Sequence, residues 1–232
     1  MNEIRKENIL KTRQALEGNR FICSYSGGKD SALALYRAIQ AGGIPQQLIM
    51  TYNIDAGRTW FHGVPEQIIR RVEDAMEIPI QRMRTRGEEY GVRLEEEFRA
   101  QKKQGADVCI FGDIDLDEHL AWCMEHCAHA GITGLFPLWK EARDQLVYEF
   151  IDCGFTAHIT VLNTEKMSER FLGAKLTREV VDAIRAEGAD ICGENGEYHS
   201  FVSDGPVFRQ PVRYSFGRPI RQGVYAIMPL EG

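Results

Sequence analysis

No apolar run in this 232-residue chain approaches the roughly 18 residues that a helix needs to cross a bilayer. The opening segment, MNEIRKENILKTRQ, has no apolar core of the kind a signal peptide carries, so the protein is expected in the cytosol with no membrane partner. Basic residues are in deficit. The 28 Lys and Arg face 34 Asp and Glu, a net charge of −6 that denies the chain the general cationic footprint of a nucleic-acid binder and favours a small-molecule substrate. Cysteines 23, 109, 123, 127, 153 and 192 form no CxxC pair and lie too far apart for a disulfide framework, so they read as small buried apolar side chains. Internal repeats and low-complexity segments are also missing. What is present is 44% apolar residues, enough for the core of one large domain or of a main domain with a smaller companion, and the composition leaves room for an oligomer.

The apolar pattern alternates between strand and helix. Phe21 to Tyr25 reads as a strand, and Ala32, Leu35, Tyr36 and Ile39 follow at helical spacing until Gly42 and Gly43. QQLIMTY at 46–52 reads as a second strand and leads to a helix near Pro65 with the face Ile68, Ile69, Val72 and Met76. A short strand after Pro79, a charged helix ending at Gly105, the compact run VCIFG at 108–112 and a helix at about 116–130 continue the series. GLFPLW, the Leu146, Val147, Phe150 and Ile151 face, and FTAHITVLN extend it. This alternation predicts an α/β fold, a Rossmann-like parallel sheet flanked by helices. Beyond about residue 164 come an FLG turn, a helix at about 177–187, the Gly-rich stretch GENGEYHSFVSDGP and two closing strands. The expected division is a main domain over 1–136 and a smaller C-terminal α/β lobe, holding the substrate, over 137–232.

The stretch SYSGGKDS, between the first strand and the first strong helix, carries the clearest chemistry. A strand that turns through Gly27 and Gly28 into a helix aims backbone N–H groups and the positive end of the helix dipole at one spot, which suits phosphate. Ser26 and Ser31 offer hydroxyls, Lys29 a mobile cation, and Asp30 a carboxylate for Mg2+ beside the phosphates. A Walker A loop is excluded, because Cys23 stands where its first glycine belongs and Asp30 where Ser or Thr follows the lysine; GxGxxG also fails. The plain alternative is a Gly-rich turn with a Ser or Asp cap.

SGGxDS resembles the PP-loop of the ATP pyrophosphatases, which cut ATP between its α and β phosphates. With FGDID at 111–115, FPLW at 136–139, FLG at 171–173 and GENGEYHSFVSDGPVF at 193–208, the chain from about 20 to 210 resembles the diphthine–ammonia ligase family. The resemblance implies an adenine nucleotide alpha-hydrolase-like fold and an ATP-dependent, AMP-forming ligase. In eukaryotic and archaeal members the family reaction adenylates the carboxylate of diphthine on elongation factor 2, and ammonia then displaces AMP. The substrate of the bacterial relatives is not settled, so the acceptor here is a carboxylate on a protein or a metabolite.

Carried over by position, the resemblance assigns Ser26, Gly27, Gly28, Lys29, Asp30 and Ser31 to ATP phosphates and metal, with Lys29 and Asp30 in the chemistry. Tyr52 and Asn53 fall where adenine is held, and Gly112 and Asp113 sit at the carboxyl end of a central strand, where a tight turn and helix cap is the competing account. Glu194 and Glu197 suit a cationic group of the acceptor, Tyr198 an aromatic face for a quaternary ammonium, and His199 a proton from the attacking amine; a hairpin with solvated acids is the alternative. Asp204 and Gly205 read as a turn. Two departures bear on the acceptor. RTWFHGV at 58–64 fits a histidine-presenting loop only loosely, through His62, and Asn195 replaces a glycine of the family pattern.

His119, Cys123, Cys127 and His126 share a helical face with metal-ligand spacing, but a cysteine-bearing helix packed on a sheet gives the same pattern and is preferred. RLEEEFRAQKKQ is a solvated helix face. Two rival functions remain: a PP-loop tRNA-modifying transferase, for which Cys192 is the candidate thiol, and a non-catalytic ATP sensor.

Overall fold

The computed structural model describes residues 3–60 and 62–232; Phe61, within the RTWFHGV stretch, lies outside the described residues. In chain order the first elements are α1 (Glu3–Leu16), β1 (Arg20–Ser24), α2 (Lys29–Gln40), β2 (Ile44–Asn53), β3 (Arg58–Thr59), α3 (Glu66–Met76), β4 (Ile80–Thr85), α4 (Tyr90–Lys103) and β5 (Ala106–Ile110). There follow α5 (Asp117–Ala130), β6 (Thr133–Leu135), α6 (Arg143–Asp152), β7 (Thr156–Asn163), α7 (Arg178–Ala186), β8 (Tyr198–Asp204) and the short strands β9 (Ser215–Phe216), β10 (Ile220–Gln222), β11 (Tyr225–Ile227) and β12 (Leu230–Glu231). No helix among the described residues is long and apolar enough to cross a membrane.

The chain forms two compact units. The first comprises the chain up to Ser26 with Asp30–Gly57 and Ile78–Glu141; the second comprises Gly27–Lys29, Arg58–Glu77 and Ala142–Gly232. In the first, β4, β2, β1, β5 and β6 lie side by side in that order and run parallel. This is the parallel sheet flanked by helices that the alternation of strand and helix predicts. The chain builds outward from β1 through β2 and β4, then returns to the other side of β1 for β5 and β6. That reversal opens a crevice at the carboxyl ends of β1 and β5, the place where open α/β sheets take ligands.

Part of this unit's core is built on the short apolar strands and the inner faces of α4 and α5: Ile22, Ile49, Leu94, Phe98, Cys109, Phe111, Cys123, Cys127 and Phe136 are all buried there. Phe111 stacks on Phe136 at 4.9 Å and meets Phe98 edge-on at 6.4 Å. Burial raises the thiol pKa of Cys23, Cys109, Cys123 and Cys127, and the six cysteines form no disulfide. A buried ion pair ties α2 to the segment after β6. Arg37 donates to both carboxylate oxygens of Glu141 at 2.7 and 2.9 Å, and to the Pro137 carbonyl at 2.7 Å. Asn8 Nδ2 donates to Glu141 as well, at 3.0 Å.

The second unit has a four-stranded sheet in the order β10, β11, β7, β8, with antiparallel neighbours throughout. The apolar faces of α6 (Leu146, Val147, Phe150) and α7 (Val181, Ile184) are buried, and Thr177 caps α7 by accepting from the Val180 amide at 3.3 Å. Here the structure departs from the sequence expectation. FTAHITVLN, read as a continuation of the parallel series, is β7 of an antiparallel sheet, and the Gly-rich stretch holds β8 as its neighbour. The polar lead-in forms α1, in which only Thr12 and Leu16 are buried among the described residues, so the segment lacks the apolar stripe that marks a helix in sequence.

Candidate active site

The loop from Ser26 to Ser31 leaves the carboxyl end of β1 and enters α2, a helix of 12 residues. Gly27 has a φ of +88°, a conformation a side chain disfavours, and this lets the chain reverse direction within the loop. At the loop's ends the two serine hydroxyls lie 3.1 Å apart, and the Ser26 amide donates to Ser31 Oγ at 3.3 Å. Gly112 follows β5 across the crevice. A Cβ there would lie 2.7 Å from the Ser31 amide nitrogen, so only a glycine lets β5 end this close to the start of α2.

The centre of the loop belongs with the second unit and runs beside β8. The Val202 amide donates to the Gly27 carbonyl at 2.9 Å, and the Lys29 amide donates to Ser200 Oγ at 3.3 Å. Lys29 is 5% exposed. Its ammonium lies 3.5 Å from Glu194 and 5.7 Å from the centre of the Tyr198 ring. His62 closes the cluster: its Nδ1 donates to the Ser200 carbonyl at 2.8 Å, which fixes the tautomer, and its ring faces Gly28. The rings of His62 and His199 meet edge-on at 5.2 Å.

Electrostatics follow from burial. The pKa of His62 is lowered to about 3, first by loss of solvent, then by His199, with Lys29 adding to the effect. His199 is lowered for the same two reasons, burial and then Lys29. Both rings are therefore neutral near pH 7, and each can accept a hydrogen bond without adding positive charge beside Lys29.

The structure thus brings Gly27, Gly28, Lys29, Glu194, Tyr198 and His199 together, and adds His62 and Ser200. Glu197 serves its own turn. Its carboxylate is 5% exposed with the rest of the residue and accepts from the Asn195 amide at 3.0 Å and side chain at 3.3 Å. The turn before it is organised by Asp190, which accepts from the amides of Cys192 and Glu194 and pairs with Arg143 at 2.6 Å. Asp204 accepts from the Gly205 amide at 2.9 Å and shapes the turn expected there.

In the first unit Tyr52 and Asn53 end β2. Tyr52 carries the Arg84 guanidinium over its ring at 5.4 Å, and Asn53 Oδ1 accepts from the amides of Asp55 and Ala56 at 3.0 Å each. Asp113 bonds His119, and this raises the imidazole pKa. Asp113, His119 and Cys123 have ligand atoms within 4.8 Å of one another, as do Glu95, His126 and His129. In the second group both imidazoles bond Glu95, whose other oxygen takes Arg99 at 2.7 Å, so its carboxylate is already satisfied.

Of the residues sequence reasoning overlooked, Asp190 carries no motif and Ser200 lies unremarked within GENGEYHSFVSDGPVF, and only their place beside a turn and a strand reveals them. Cys192 is fully buried, which removes its thiol from solvent.

Lys29, a buried lysine at the N-terminus of α2, is a donor of the kind that suits a phosphate. Asp30, in the first turn of α2, offers a carboxylate of the type that binds divalent cations.

Known proteins resemble the chain along most of its length. The family model described as the diphthamide synthase N-terminal domain matches residues 19–134, and that of the diphthamide synthase C-terminal domain matches residues 142–224. The diphthine–ammonia ligase of Bos taurus is 22% identical over 233 aligned positions, which cover 88% of this chain and 86% of that protein. That of Homo sapiens is 23% identical over 215 positions, covering 81% and 79%. Among solved structures, the U34-tRNA thiolase NcsA from Methanococcus maripaludis aligns with a TM-score of 0.42 at 15% identity over 63% of each chain. The two family models leave little of the sequence uncovered, and the chain belongs to the diphthamide synthase family.

Proposed function

We propose that the protein is an ATP-dependent, AMP-forming amide ligase that activates a carboxylate as its adenylate and transfers the acyl group to ammonia. The observation that supports this reading most directly is the Lys29 cluster: a buried cation on a Gly-Gly turn at a helix N-terminus, next to two neutral imidazoles. The triphosphate would lie along Ser26 to Ser31. A carboxylate oxygen of the acceptor attacks the α phosphorus, the bond from that phosphorus to the α–β bridging oxygen breaks, and pyrophosphate leaves. Lys29 and the loop amides steady the charge that grows on the leaving group. A Mg2+ ion held by Asp30 and the phosphates would neutralise further charge there.

Ammonia then attacks the acyl carbon, the bond from that carbon to the phosphate oxygen breaks, AMP departs, and the nitrogen loses a proton. His199, kept neutral by burial and Lys29, holds a lone pair ready to take a hydrogen bond from that nitrogen. Glu194 competes with the phosphates for Lys29 and so sets where the ammonium rests. Glu197 acts only by positioning the turn.

The assay is release of pyrophosphate and AMP from ATP in the presence of ammonium and a panel of carboxylic acids. Equal molar AMP and amide support the reading. Binding of ATP without AMP under any acceptor would favour a sensor, and stimulation of AMP release by cellular tRNA would favour a transferase.

A further inference from the structure

A second cavity-forming feature lies wholly within the second unit. The register of the antiparallel sheet places His199 of β8 opposite Val161 of β7, and Val161 opposite Ile227 of β11. Directly paired residues share a face, so these three side chains form one row across three strands. Tyr225, two residues before Ile227, points to the same side. Beside this face a cavity of about 240 Å3 is lined by Arg58, Trp60, Val161, His199, Tyr225 and Ile227 among others.

The lining has a definite chemistry. Trp60 and Tyr225 are 40% and 43% exposed, large rings left accessible to solvent. The guanidinium of Arg58 makes no ion pair with any described residue, and no Asp or Glu lines the cavity. A half-buried arginine without a carboxylate partner, in a lining that also holds two aromatic rings, favours an anion with a flat or apolar body; a cation placed there meets like charge. The volume is below the usual range for drug-sized ligands, so the body is small. His199 is shared with the Lys29 cluster, where its ring touches His62 at 5.2 Å.

We propose that this sheet-face pocket is the acceptor site and that it selects small carboxylic acids, with Arg58 taking the carboxylate and Trp60 and Tyr225 flanking the body. The assignment rests on the ligase reading only for the role of acceptor; the preference for acid is a property of the pocket alone.

The test uses phenylacetate and its uncharged isostere phenylacetamide as probes on the full chain, read by indole fluorescence and by calorimetry. Phenylacetate is expected to bind with a Kd on the order of millimolar, as befits about ten heavy atoms, and at least tenfold tighter than the amide. Arg58→Gln removes the preference, and Arg58→Lys retains part of it. Trp60→Ala weakens both probes and abolishes the fluorescence change. Equal binding of acid and amide, no binding of either at about 50 mM, or a preference that survives in Arg58→Gln each overturns the proposal. ATP affinity is measured on the same samples: acid selectivity without ATP binding keeps the pocket and removes the ligase, and ATP binding without acid selectivity does the reverse.

Discussion

The imidazole of His62 occupies the space in front of Gly28: a Cβ built on that glycine falls 2.5 Å from the ring carbon Cε1. The glycine therefore serves the approach of a side chain that is itself bonded to Ser200 and edge-on to His199. Gly28→Ala forces the ring aside. The expected result is a loss of about 1 to 3 kcal/mol in urea unfolding, typical of overpacking, with pyrophosphate release reduced at least tenfold. A variant with unchanged turnover would show that the ring plays no part in positioning the loop.

Acid stability provides a second test. An imidazole in the unfolded chain titrates near 6.5, whereas His62 in the fold is lowered to about 3. The unfolded state binds the proton first, so the stabilisation from neutral His62 is complete above pH 6.5 and is lost as pH falls toward 3. At pH 5 the loss is about 2 kcal/mol, from 1.5 pH units at 1.36 kcal/mol each. His199 is lowered too and adds in the same direction. Urea midpoints for wild type and His62→Gln between pH 7.5 and 5 are expected to converge as the pH falls.

Lys29→Met keeps most of the side-chain volume and removes the charge. Pyrophosphate release is expected to fall by about 10²- to 10³-fold, the usual effect of deleting one preorganised group that stabilises developing charge. ATP titration by calorimetry is expected to show weaker binding in parallel. Turnover within threefold of wild type would place the phosphates elsewhere.

The Arg37 to Glu141 pair makes a prediction about stability. Arg37 is 8% exposed and its partner's carboxylate is fully buried, so Glu141→Ala leaves a buried guanidinium without its bidentate acceptor. Destabilisation of about 3 to 5 kcal/mol is expected in urea unfolding, and the double variant Arg37→Met with Glu141→Leu is expected to recover much of it.

Much of the first unit was legible in the sequence, because VCIFG and QQLIMTY are short apolar runs bounded by turns and Ala32, Leu35, Tyr36 and Ile39 mark α2 at helical spacing. The turn after β1 was legible because Gly27 and Gly28 interrupt the pattern between an apolar strand and the helical spacing that follows. What was hidden depends on pairing across long sequence distances. His62 lies 138 residues from the Ser200 carbonyl it bonds, and no local pattern encodes that contact. Glu197 and His199 sit in the same motif, yet one folds back on Asn195 and the other lines a cavity, because Glu197 belongs to the turn before β8 while His199 lies in the strand, whose pairing sets its face. The antiparallel sheet was concealed for a related reason: Thr156 to Asn163 follows a helix, as a parallel strand would, and only its partners reveal its sense.

The sealed cysteines have a practical use. A thiol reacts with iodoacetamide only as its thiolate and only when reached by solvent, and Cys23, Cys109, Cys123 and Cys127 are denied both in the first unit. Alkylation at these positions can therefore proceed only when that unit breathes open, so mass counting over time serves as a clock for its opening. Cys153, less deeply placed in the second unit, marks the starting tick.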